Sequence, residues 1–134
     1  MAFPSKVDWA TGDVLTAAGV NTLAGNVNLL AYLPTNGQTG TSYTLALTDV
    51  AYIVEMNNAS ANTLTVPPNS SVAFPTGTQI IVLQTGAGQT TIAAGSGVTI
   101  NSSGSKLKLT GQWSAATLIK RATNTWVLVG DITA

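Results

Sequence analysis

The sequence predicts a mainly β protein: an N-terminal extended arm and short helix, followed by an antiparallel β-sandwich or barrel of about eight strands. Three observations carry that expectation. Beyond residue 42 the apolar residues recur with a period of two, and turn signals recur about every 8–12 residues. Before residue 34 the apolar positions fall instead at helical spacing. The third is an absence of alternation between helical and strand patterns, which excludes an α/β fold.

Residues 1–33 form the first unit. Phe3-Pro4 opens an extended arm that carries Trp9 and leads to Gly12-Asp13. Thr16 is suited to an N-cap, with Asp13 just before it and two alanines just after. Val20, Leu23, Val27 and Leu30 then follow at the heptad spacing of helices packed side by side. Ala17, Ala24 and Ala31 flank this seam and permit close backbone approach. Gly19 and Gly25 weaken the helix by about 1 kcal/mol each relative to Ala. It therefore needs a packing partner, either helices of other copies or its own β-domain. Pro34 ends it.

Residues 34–42 are polar and Gly-bearing and read as a linker, leaving 43–134 as the β-domain. Tyr43, Leu45 and Leu47 alternate with small or polar residues, and Ile53–Met56 follows a turn at Thr48-Asp49. Leu64–Val66 must stop at Pro67-Pro68. The continuous apolar run Ile80–Leu83 suits a central strand covered on both faces. Gly86-Ala87-Gly88 and Gly95-Ser96-Gly97 read as hairpin turns into Thr90–Ala93 and Val98–Asn101. Lys106–Leu109, Ala116–Lys120 and Trp126–Val129 complete the strands, with Trp126 expected in the core.

Composition narrows the function. Five basic and five acidic residues cancel, and charged residues are only 7% of the chain, against roughly 25% in an ordinary soluble domain. With 45% hydrophobic residues the chain does not have a disordered composition. A neutral chain lacks the electrostatic footprint of a nucleic-acid binder. No run of about 18 apolar residues spans a membrane, and no secretory signal is expected. So uncharged a surface favours burial against copies of itself or other subunits, the alternative being a monomer solubilised by Thr, Ser and Asn.

Without His or Cys there is no Ser-His-Asp triad, no Cys nucleophile and no His/Cys zinc site. The glycines at 86 and 88 lack the Lys and following helix of a phosphate loop. Asp8, Asp13, Asp49, Glu55 and Asp131 form no obvious facing pair for glycoside hydrolysis. The expectation is a non-enzyme with no cofactor and no metal. Lys106, Lys108, Lys120 and Arg121 concentrate the basic charge near the C-terminus, where they suit solvent-facing or edge strands. Trp113, after Gly111-Gln112, is the aromatic residue whose burial is least determined, and a ring of that kind can stack on sugars.

Two stretches resemble a family. Trp9-Ala-Thr-Gly-Asp-Val-Leu-Thr-Ala-Ala-Gly-Val-Asn21 resembles the W-x-x-G-D/E-x-L-T-A-x-x-x-N opening of tailed-bacteriophage virion proteins, especially tail-fibre and minor tail proteins. Tyr43–Asp49, Asn62–Ser70, Phe74–Ile80, Gln84–Gly88, Ala115–Lys120 and Trp126–Asp131 resemble a β-module of phage structural proteins. The resemblance implies a homotrimeric accessory protein of the virion, on capsid or tail, made in the bacterial cytoplasm. The arm would dock it to other virion proteins through Phe3, Trp9, Asp13, Leu15 and Thr16. Val20, Leu23, Val27 and Leu30 would form the oligomer interface. The chain stops directly after the common module, which leaves open a capsid-decoration or head-fibre role. The alternative function is a tail adhesin that binds host surface glycans.

Overall fold

The computed structural model describes residues 32–134, of which Pro34–Ala134 form one compact unit. Its strands are β1 Thr35–Gln38, β2 Ser42–Thr44, β3 Ile53–Met56, β4 Asn62–Val66, β5 Gln79–Gln84 and β6 Thr90–Ala94. They continue with β7 Thr99–Ser102, β8 Lys108–Leu109, β9 Ala115–Ala122, β10 Thr125–Gly130 and β11 Ile132–Thr133. One sheet has six strands in the order β1-β3-β5-β9-β10-β7, the other five in the order β11-β8-β6-β4-β2. The fold is mainly β, as the period of two requires.

Strand pairing differs from the antiparallel arrangement expected. β1, β3 and β5 are parallel neighbours, and so are β2, β4 and β6. From β1 to β9 the chain alternates between the sheets; through β6 each pair of strands makes one turn of a flattened coil, after which β7 pairs in parallel with β10 beyond β9. Parallel neighbours need a crossover, most often a helix. Here a strand of the opposite sheet serves instead. Antiparallel pairs enter with β8 on β6, β9 on β5, the β9–β10 hairpin and β11 on β8. A period of two is common to both orientations, which is why the sequence pattern did not separate them.

The glycine turns are reassigned with the strands. Gly86–Gly88 is not a hairpin: it carries the chain from β5 in one sheet to β6 in the other. Gly95–Gly97 does the same between β6 and β7. At 86 and 88 glycine is required by close approach, because a Cβ would overlap the backbone of Asn58 and Ser60 in the turn beneath. Gly88 N–H donates to the Asn58 carbonyl at 2.9 Å, so the two turns are bonded as well as stacked.

Residues 34–42 are not a bare linker, since they contain β1. Its sequence, Thr-Asn-Gly-Gln, has no apolar alternation to announce a strand. The ladder holds it: Ile53 N–H donates to the Pro34 carbonyl and Asn57 N–H to that of Gln38. β11 is likewise too short to show a period.

The core lies between the sheets. Val54, Met56, Ile80, Val82, Leu118 and Leu128 face inward from the six-stranded sheet, and Leu64, Val66, Ile92 and Leu109 from the other. Trp126 is buried as expected, and Phe74 meets its ring edge-on at a centroid distance of 5.4 Å. The alternate residues of each strand must point outward. On the five-stranded sheet these include Thr44, Thr63, Thr65, Thr91 and Lys108. On the six-stranded sheet they include Ile53, Ile81, Leu83, Ile119, Val127 and Val129. β5 is therefore central but not covered on both faces by this unit: Ile81 and Leu83 are half-buried.

The Gly88→Ala substitution should lower stability by about 1–3 kcal/mol in urea unfolding, because the stacked turns must part. Ala87→Ser, at an exposed position of the same turn, should change it by no more than about 0.5 kcal/mol.

Candidate functional site

The residues expected to dock and to oligomerise, Phe3, Trp9, Asp13, Leu15 and Thr16 with Val20, Leu23, Val27 and Leu30, lie outside the described residues. Four other features concentrate polar or exposed chemistry.

The first is a buried polar knot at the start of the coil. The turn Leu47–Asp49 tucks Asp49 inward, where it is 1% exposed. Its carboxylate accepts hydrogen bonds from Asn36 Nδ2, the Tyr43 hydroxyl and Ala46 N–H, each at 2.8 Å. Gln38 Nε2 donates to Asn36 Oδ1 at 2.8 Å, so both inward residues of β1 join the knot. Burial raises the Tyr43 hydroxyl above its ordinary pKa of 10.0, and the Asp49 hydrogen bond and charge raise it further. The Asn36 hydrogen bond opposes them. Glu55 is in β3 but points to the opposite face from its buried neighbours Val54 and Met56, so it and Asp49 do not converge.

The second is Lys120, which does not face solvent as its position among basic residues suggested. It is 3% exposed, and its ammonium donates to Asn69 Oδ1 and the Phe74 carbonyl, each at 2.6 Å. Gly77 N–H donates to the Lys120 carbonyl and Lys120 N–H to that of Thr78, so this residue pins the long β4–β5 connection at four points. Only the alternation of β9, which sends residue 120 inward with 116 and 118, could have signalled it.

The third is the turn between β8 and β9. Ser114 is buried, and its hydroxyl donates to the Gly111 carbonyl at 2.6 Å while accepting from Gly111 N–H at 3.0 Å. This clasp throws the intervening residues outward. Trp113 sits at φ 71° and is 69% exposed, although its backbone N–H is tied to the Gln84 carbonyl at 2.7 Å. A bulky residue at positive φ costs about 1–3 kcal/mol and persists only where its surroundings hold it. Nothing in the sequence announced that backbone state.

The fourth is a cleft of about 400 Å³ lined by Asn101, Ser102, Lys106, Val129 and Ile132 among others. The Ser102 hydroxyl is buried against it without a protein partner. It lies between the free edges of the two sheets, β7 and β11.

Among the described residues, no three of His, Cys, Asp and Glu come together as a metal-binding group, and no helix is long and apolar enough to cross a membrane.

No protein-family model and no curated protein matches the chain.

Asp49→Asn should destabilise the fold by about 1–3 kcal/mol, because an amide presents hydrogens to donors that need an acceptor. Thermal melts of the two proteins check it. For Tyr43 the folded pKa is the higher one. Its contribution is thus complete at neutral pH and is lost as alkaline pH rises through the folded value. Urea titrations from neutral to strongly alkaline pH should show that loss, and Tyr43→Phe should remove this component of it. Lys120→Met leaves the Asn69 and Phe74 oxygens without their donor and should cost about 1–3 kcal/mol or more in the same assay.

Proposed function

We propose that the chain is a non-enzymatic structural protein of a tailed-bacteriophage virion, an accessory surface component that docks by its N-terminal arm, projects the β-domain and assembles with copies of itself. The observation that carries the assembly is the contrast between the outer faces of the two sheets. One is Thr-rich and suited to water. The other presents Ile53, Ile81, Leu83, Ile119, Val127 and Val129, side chains that an isolated unit leaves half-buried or exposed. Thr117 and Gln79 interleave with them in the ladder, and a sheet face so rich in uncovered aliphatic side chains marks an interaction surface.

A second copy is the occupant that the charges favour. Glu55 and Arg121 stand on this same outward set of residues, from β3 and the end of β9, and carry opposite signs. A three-fold axis can bring Glu55 of one copy towards Arg121 of the next, a head-to-tail pairing that closes into a ring. The virion setting and the trimeric number rest on the resemblance of Trp9–Asn21 and the β-domain segments to phage proteins. The non-enzymatic reading draws support from the separation of Asp49, buried in the turn Leu47–Asp49, from Glu55, which points outward from β3.

Light scattering over a range of concentrations should report a trimer. Ile81→Lys and Leu83→Lys should shift it to a folded monomer, whereas Thr65→Lys on the other face should not. A wild-type monomer at micromolar concentration would refute the assembly. An antibody to the chain should label purified particles of a phage that encodes it; protein found only free in the lysate overturns the virion role.

A further inference from the structure

We propose that Trp113 and the polar turns beside it form a binding site for a neutral pyranose sugar. The site does not depend on the virion reading. Four turns gather at one end of the coil: residues 39–41, 57–61, 85–89 and 110–114. Hydrogen bonds tie them into a continuous ridge. Asn58 Nδ2 donates to the Thr39 carbonyl, Gly88 N–H to that of Asn58, Gln112 Nε2 to that of Thr85, and Trp113 N–H to that of Gln84. These segments consist of Gly, Ala, Ser, Thr, Asn, Gln and the one Trp, with no charged residue. Asp131 accepts from the Thr110 hydroxyl at 2.7 Å at the base of the last turn.

The chemistry follows from those groups. A pyranose has a face of C–H bonds and a rim of hydroxyls. An exposed indole matches the first, because apolar C–H groups pack on its electron-rich face. Side-chain amides, hydroxyls and the Asp131 carboxylate match the second. That carboxylate, with no cation in the ridge, disfavours acidic sugars. A protein partner fits less well, since the ring stands among polar turns and not within an apolar patch. The backbone supplies preorganisation: Trp113 is held at φ 71° by the Ser114 clasp and the Gln84 hydrogen bond, so little further ordering is needed on binding. A strained, exposed tryptophan is poorly explained as a stabilising residue. As a fixed platform it is well explained.

The test separates stability from binding. The wild-type chain is applied to an array of neutral and acidic oligosaccharides, and its best neutral ligand is titrated by calorimetry. Trp113→Gly relieves the positive φ, so its melting temperature should equal or exceed that of the wild type. Its sugar affinity should fall about tenfold or more. Trp113→Phe should retain most of the affinity. Four results would overturn the proposal: no neutral sugar bound by the wild type, equal binding by Trp113→Gly, binding confined to acidic sugars, or a change of oligomeric state in Trp113→Gly. The last would assign the ring to a protein interface.

Discussion

The stacking of the third turn of the coil on the second depends on one close approach: the connection after β5 lies against the connection after β3, backbone on backbone. Parallel strands in each sheet can stay at ladder spacing only if the chain linking the two sheets also rises by one strand per turn. Gly86 and Gly88 permit this where any side chain would strike Asn58 or Ser60. The registers agree with it: Ile53 pairs with Ile81 in one sheet and Thr63 with Thr91 in the other, the same offset in both. The coil is thus in step on its two sides.

Buried polar side chains secure that stack from within. Gln84 Nε2 donates to the Gly86 carbonyl, and its Oε1 accepts from Thr90 N–H, bracing the turn at both ends. Asn62 Nδ2 reaches the Gly88 carbonyl, and its Oδ1 accepts from the Thr90 hydroxyl. A buried polar group left unpaired is costly, so groups satisfied only in one register favour that register. Asp49 acts similarly at the first turn of the coil and Lys120 at the long β4–β5 connection. These inward polar residues do more to specify the arrangement than the aliphatic core, which would tolerate several.

The features that bear on function come from what such a coil leaves outside. Alternation leaves one outer face with Thr and little aliphatic surface, and sets Ile, Leu and Val among Thr, Gln and Glu on the other, so a single unit has two unlike surfaces. The ends of the turns add a third, polar and uncharged, from which Trp113 projects. These surfaces share no residues, so assembly through a sheet and binding along a ridge of turns are compatible in one small unit.

The amino-acid sequence by itself determined the mainly β class, most strand positions, the burial of Trp126 and the low-charge surface. Each follows from local pattern: a period of two, a glycine or proline break, a count of ionisable groups. Tertiary structure alone decided that the strands coil in parallel between two sheets, because alternation reads the same for parallel and antiparallel neighbours. It also made a strand of Thr35–Gln38, whose partners are distant in sequence and whose inward residues are polar. The inward turn of Lys120 and the left-handed backbone of Trp113 were decided there too. Lys120 is buried because the β4–β5 connection brings it oxygens, and Trp113 is exposed because Ser114 and Gln84 hold its backbone in a state no local preference selects.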